Sequence, residues 1–245
     1  MNETIAVISR KGGSGKTTTA LCVADQLRRR GKSVLIIDLD AKRNASKAMD
    51  ADLSQTSVIN LFDGAKLGEV VQHTDNGDIV PGSIYLNAAD AVLTNNHELN
   101  KALQRGGDQY DYIIIDCPDA PGRLTANALT AATSALITVK AEPFSFDGID
   151  DLTATIEQAK ETNSNLKIRG IVVTAYDGRS NEDKNQLAKF KAKAADIGTQ
   201  VIEPPIRATS KVRTAQGRRV NLSAYDPKCT AAQDYKTIVD KLLEE

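Results

Sequence analysis

The sequence predicts an α/β protein, doubly wound around a mostly parallel sheet. Three observations predict it. Short continuous apolar runs alternate with longer segments of helical pattern, as expected of strands buried on both faces. A glycine-rich turn joins the first such run to the first helix. The 245 residues are 41% hydrophobic and 26% charged, a composition that supports a sizeable core.

The elements follow in order. Ile5–Ser9 reads as the first strand, because four apolar residues run without interruption. Thr17–Arg30 reads as a helix, and Gly31 suits its C-terminal stop. Ser33–Asp38 is the second strand. Gly77–Pro81 is a third, followed by a helix over Asp90–Arg105. Tyr112–Asp116 is a strand built on three isoleucines. Leu124–Ala132 then reads as a helix, Ala135–Lys140 as a strand and Gly148–Glu161 as a helix. Ile168–Ala175 is a strand and Glu182–Ala195 a helix. Thr199–Glu203 is a last strand before the loop marked by Pro204-Pro205, and Ala231–Leu243 closes the chain as a helix.

Composition removes several function classes. Lys+Arg at 31 against Asp+Glu at 32 gives a net charge of −1, so the chain is not uniformly basic. Trp is absent and aromatics are 4%, too few for a base-stacking platform. Cys22, Cys117 and Cys229 form no close pair, and His73 and His97 are the only histidines. Disulfide frameworks and Cys/His metal sites are therefore not expected. Cys117 reads as a small buried residue. No charged n-region precedes a long apolar stretch, and no apolar run spans a bilayer. These features predict a protein of the reducing cytoplasm. No repeat or linker divides the chain, so 1–245 reads as a single domain.

The most informative stretch is Arg10-Lys11-Gly12-Gly13-Ser14-Gly15-Lys16-Thr17-Thr18, between an apolar strand and a helix. Glycines allow the tight turn that aims backbone N–H groups at phosphate oxygens, and the helix adds its positive end. This is a phosphate loop, with Gly12, Gly13, Ser14, Gly15, Lys16, Thr17 and Thr18 as the nucleotide cradle. Lys16 would contact the β/γ-phosphates, and the Thr17 hydroxyl would hold Mg²⁺. The strict G-x-x-x-x-G-K-T pattern would place Gly where this chain has Arg10.

With Lys11 included, the motif resembles the deviant Walker A of the ParA/MinD family of P-loop ATPases. The resemblance implies that Lys11 reaches the partner's ATP across a nucleotide-sandwich homodimer. It also implies ATP and Mg²⁺ as cofactors. Val34-Leu-Ile-Ile-Asp38-Leu-Asp40 resembles the family's second motif, which assigns Asp40 to positioning the attacking water and Asp38 to the neighbourhood of the Mg²⁺. On an extended strand these two aspartates point to the same side. Many relatives continue Pro-Gln-Gly-Asn, whereas this chain has Ala41-Lys42-Arg43-Asn44. Tyr112-Ile-Ile-Ile-Asp116-Cys-Pro118 looks like Walker B, with Asp116 serving the metal. Relatives often have a second Pro at the position of Asp119.

Weaker similarities run through Glu142-Pro-Phe-Ser-Phe-Asp-Gly148, which resembles the lead into a dimer-contacting helix, and through Ile171–Arg179 and Tyr225–Tyr235. The helix–turn–helix domain that some relatives carry at the N-terminus has no room before the first strand. Iron–sulfur relatives need cluster cysteines, a pattern that Cys22 and Cys229 do not match. The acidic end Asp240-Lys-Leu-Leu-Glu-Glu245 differs from the basic amphipathic helix with which the MinD branch binds membrane, so no membrane contact is expected.

DNA is the expected surface. Between Pro204 and Val220 lie Arg207, Lys211, Arg213, Arg218 and Arg219, with no acid. The segment resembles the part of ParA proteins that contributes to non-specific double-stranded DNA binding, which phosphate contacts by Lys and Arg would support. Arg28-Arg29-Arg30 is read instead as stabilising a helix C-terminus. The resemblance as a whole implies a nucleoid-associated partition ATPase, dimeric with ATP and released when a ParB-like centromere-binding partner stimulates hydrolysis. Two alternatives stay open: the same engine positioning another cargo, and a MinD-like membrane regulator.

Overall fold

The structure, a computed structural model, describes residues 3–142 and 146–244. Among these residues the strands are β1 (Glu3–Ile8), β2 (Val34–Asp38), β3 (Gln72–Thr74), β4 (Gly77–Val80), β5 (Tyr112–Asp116), β6 (Ser134–Lys140) and β7 (Lys167–Thr174). They form one sheet in the order β3-β4-β2-β5-β1-β6-β7. All neighbours pair in parallel except the β3–β4 hairpin at one edge.

The helices are α1 (Lys16–Arg28), α2 (Asn44–Ala48), α3 (Val58–Phe62), α4 (Leu67–Val70), α5 (Leu86–Val92), α6 (Glu98–Gln104), α7 (Arg123–Ala131), α8 (Asp147–Lys160), α9 (Asn181–Asp196), α10 (Lys211–Gly217), α11 (Leu222–Tyr225) and α12 (Thr230–Glu244). The alternation of strand side chains divides them between two cores. Ile5 and Val7 of β1, with Ile36 and Ile114, pack under α1, α2, α10, α11 and α12. Ala6 and Ile8, with Leu35, Ile37, Ile113 and Ile115, pack under α3 to α9. The runs of isoleucine and valine thus serve both faces at once, as a parallel sheet requires.

The doubly wound, mostly parallel architecture agrees with the sequence reading, and three elements differ. The helix expected over Asp90–Arg105 is two, α5 and α6. The chain turns between them where Asn95 Oδ1 accepts the His97 N–H at 2.9 Å and Asn127 Oδ1 accepts the Leu99 N–H at 3.2 Å. Asparagine side chains compete for backbone groups that the helix would otherwise use. The strand expected over Thr199–Glu203 is a single parallel bridge, Ile171 to Val201. The prolines at 204 and 205 supply no N–H to extend it. The basic segment after them, to which the sequence reading assigns no element, contains α10. In the Glu142–Gly148 stretch expected to lead to a dimer contact, residues 143–145 lie outside the described residues. No helix among the described residues is long and apolar enough to cross a membrane.

Candidate nucleotide site

The site lies beyond the carboxyl ends of three adjacent strands, β2, β5 and β1, where an open parallel sheet leaves a crevice. β1 delivers the glycine loop. Gly13 (φ 77°) and Gly15 (φ 90°) take the left-handed conformations that let the loop curl. A Cβ on Gly15 would come within 3.0 Å of Thr174 Cγ2. That closeness is structural, because Thr174 Oγ1 donates to the Ser14 carbonyl at 2.7 Å. Ser14 Oγ lies 3.1 Å from Thr138 Oγ1, so the ends of β6 and β7 both clamp the loop. Gly15 caps α1, whose first residues are Lys16 and Thr17.

Asp38 and Asp116 stand side by side in the β2–β5 register. Asp38 is fully committed locally. It accepts from Ser46 N–H at 2.9 Å, from Ser46 Oγ at 2.6 Å and from Asp40 N–H at 3.1 Å. Burial pushes its carboxyl up to about 6, against the lowering pull of those hydrogen bonds. Both oxygens of Asp116 are buried and have no close hydrogen-bond donor among the described residues, although the Thr17 hydroxyl lies near enough to pull its pKa down. Burial, and then the neighbouring Asp38 charge, hold Asp116 well above the ordinary carboxylate range. A buried carboxylate with no close donor is an acceptor waiting for a cation. Asp116 and Thr17 therefore fit Mg²⁺, and Asp38 is the less free of the two strand-end acids.

A cleft of about 610 Å³ opens over this floor, lined among others by Lys16, Thr17, Asp40, Lys42, Asp119 and Arg213. Asp40 Oδ1 accepts the Lys42 N–H at 2.9 Å. Arg43, where the family pattern has Gly, keeps a left-handed backbone at φ 56° and opens α2. Lys16 is 5% exposed, and its ammonium is paired with Asp119. Asp119 and Lys42 are departures from the family pattern to which the sequence alone assigns no role. Their opposite charges were the available signal. Lys11 lies outside this cleft and pairs with Glu142 at 3.3 Å.

The five cations expected to face DNA do not form one set. Arg207 is half-exposed and pairs with the buried Asp234 of α12, with Nη2 at 2.6 Å from Oδ1. Arg219 pairs with Asp50 at 2.6 Å. Arg218 lies 5.3 Å over the Tyr225 ring, and Lys211 lies 5.8 Å over the same ring and 3.6 Å from Asp226. Arg213 is exposed on α10 and makes no ion pair among the described residues. It also lines the nucleotide cleft. The sequence missed a tie between these regions: Gln216 Nε2 donates to Thr18 Oγ1 at 3.1 Å, linking α10 to the phosphate-loop helix. Of the arginine cluster that ends α1, Arg29 pairs with Asp25 at 3.1 Å, and Arg30 Nε donates to Asp240 of α12 at 2.9 Å.

Comparison with known proteins adds to this geometry. A family model described as an AAA domain matches residues 2–168. The sporulation initiation inhibitor protein Soj of Bacillus subtilis is 33% identical, covering 96% of each chain. The chromosome-partitioning ATPase Soj of Thermus thermophilus is 31% identical over 98% of this chain and 94% of its own. Among solved structures, cobyrinic acid a,c-diamide synthase from Mycobacterium smegmatis with bound ADP and magnesium superposes with a TM-score of 0.86 at 29% identity. That match covers 100% of this chain and 95% of the other.

Proposed function

The chain belongs to the ParA/MinD superfamily of P-loop ATPases, and on that premise we propose that it is a DNA partition ATPase working as an ATP-sandwich dimer. It is an ATPase of the ParA/Soj kind, and its ligands are ATP and Mg²⁺. The observation that carries the reading is the cleft itself. Gly13, Gly15, Lys16, Thr17 and the exposed Arg213 line one cavity, and the buried Asp116 stands next to Thr17.

Each residue then has a task. Backbone N–H groups of residues 12–18 cradle the phosphates, and Lys16 balances their charge. Thr17 and Asp116 hold Mg²⁺, which supplies charge neutralisation at the phosphates, and Asp38 shapes the loop through Ser46. Asp40 orients the attacking water. Lys11 leaves Glu142 to reach the partner's nucleotide. Arg213 contacts DNA phosphates without reading sequence. Lys211, Arg218 and Arg219 contribute to the same field. The Gln216–Thr18 bond gives α10 a mechanical link to the nucleotide loop. Two copies of Arg213 per dimer make DNA binding depend on ATP. A ParB-like partner stimulates hydrolysis and releases the nucleoid-bound dimer in the cytoplasm.

The test is co-sedimentation and gel shift with Mg·ATP or Mg·ADP, on two unrelated duplexes and on anionic vesicles. The reading expects a dimer and equal binding to both duplexes with ATP alone. Binding to vesicles instead of DNA would favour the MinD-like alternative, and DNA binding indifferent to nucleotide would reject the sandwich.

A further inference from the structure

Two departures from the family pattern, Lys42 and Asp119, meet in the cleft. Lys42 Nζ donates to Asp119 Oδ2 at 2.5 Å, and Lys16 Nζ donates to the other oxygen, Oδ1. The same carboxylate rests on the glycine loop, with Oδ2 3.1 Å from where a Cβ on Gly12 would sit. One anion thus bridges two ammonium groups over the phosphate cradle, the arrangement that two phosphate oxygens would take. Burial raises the Asp119 carboxyl, but the hydrogen bonds and charges of Lys16 and Lys42 outweigh burial and hold it below the usual range. Its bond to Asp119, and then the Asp119 charge, raise the Lys42 ammonium. Both partners are therefore charged at neutral pH.

The backbone of Lys42 is fixed while its side chain reaches into the cleft. Its N–H donates to Asp40 Oδ1 at 2.9 Å, and its carbonyl accepts from Lys47 Nζ at 2.8 Å. The Lys42 side chain itself is 61% exposed, and Asp119 is 26% exposed on the turn between Asp116 and α7. Lys16 enters from the loop below, whereas Lys42 enters from the wall that carries Asp40.

We propose that Lys42 is a terminal-phosphate contact of the nucleotide site, and that Asp119 is the carboxylate from which incoming phosphates take both lysines. The proposal deepens the ATPase reading and rests on it. A cation on the Asp40 wall meets the phosphate farthest from the base. It adds, within one protomer, charge neutralisation where charge accumulates during phosphoryl transfer. Asp119 competes for Lys16, which also serves the β-phosphate, so it opposes ADP and ATP alike. Lys42 separates them.

The experiment is calorimetric titration of Mg·AMPPNP and Mg·ADP into the wild-type chain, Lys42→Gln, Lys42→Arg and Asp119→Asn. Lys42→Gln should lower the AMPPNP:ADP affinity ratio about tenfold, the scale of one charge-assisted hydrogen bond. Lys42→Arg keeps a cation and should hold the ratio within about threefold of wild type. Asp119→Asn should tighten both nucleotides by a similar factor. An unchanged ratio in Lys42→Gln would overturn the contact, as would equal weakening of both nucleotides. A wild-type chain that binds neither nucleotide would instead overturn the ATPase reading beneath it.

Discussion

Arg207 and Asp234 are joined by hydrogen bonds from both backbone and side chain. The Arg207 N–H donates to Asp234 Oδ2 at 2.9 Å, Nε reaches both oxygens at 3.0–3.1 Å, and Nη2 reaches Oδ1 at 2.6 Å. The Asp234 side chain is 3% exposed, so this arginine is the counter-charge of a buried acid. Arg207→Ala leaves that acid with the backbone donor alone, at a cost of about 2 kcal/mol. Thermal melts should show a midpoint lower by about 4–8 °C. DNA affinity measured well below that midpoint should stay within twofold of wild type.

Arg213 should give the opposite pattern. It is exposed and makes no ion pair among the described residues, so Arg213→Ala should leave the melting midpoint within about 1 °C. The log–log salt slope of ATP-dependent DNA binding should flatten by about 2 per dimer, from about 0.9 per phosphate contact. Equal slopes for variant and wild type on two unrelated duplexes would return α10 to an ordinary surface helix.

Burial and the Asp38 charge cost Asp116 more than the nearby Thr17 hydroxyl and Lys16 charge relieve. Its carboxyl is raised, so without metal the folded state binds its proton more tightly than the unfolded state does. Stability from this group is present below the ordinary carboxylate range of about 4 and is lost as pH rises above it. Asp116→Asn, melted in chelator, should therefore exceed wild type by several degrees at pH 7–8, an effect on the order of 1–2 kcal/mol. The gap should close as pH falls towards 4. A variant less stable than wild type at pH 8 would contradict the uncompensated carboxylate.

Asp40→Ala should separate binding from chemistry. Asp40 touches the Lys42 backbone and lines the cleft, and no hydrogen bond ties its carboxylate to the glycine loop among the described residues. Mg·AMPPNP affinity should remain within about threefold, while turnover falls by about 100-fold as the water loses its orientation. The ATP dimer should then accumulate in light scattering. Hydrolysis near the wild-type rate would remove Asp40 from its role.

The sequence made the floor of the site legible because its signals are local. A strand that ends in Asp38 or Asp116, and a glycine loop that enters a helix at Lys16, each announce themselves within ten residues. The break between α5 and α6 was hidden because it depends on Asn127, 32 residues beyond the Asn95 carbonyl to which it donates. The partition of the basic segment was hidden for the same reason. Nothing near Arg207 reveals that Asp234 will claim it, and nothing near Lys42 reveals that Asp119, 77 positions away, will face it. Charge is visible in a sequence, whereas the counter-charge is a property of the fold.

The position of β1 has a consequence for synthesis. Its neighbours β5 and β6 pair through Glu3 with Tyr112 and through Ile5 with Ser134, so β1 has neither partner until Tyr112 is made and lacks the second until Ser134. At ribosomal speed the 109 residues separating Glu3 from Tyr112 take on the order of 5–20 s. For that interval the segment Ile5–Ile8, destined for the middle of the sheet, is a nascent apolar strand with two unmet edges. The first piece of the nucleotide site to be made is thus among the last to be enclosed, and slowing elongation between Ser33 and Tyr112 would lengthen its exposure to chaperones and to neighbouring nascent chains.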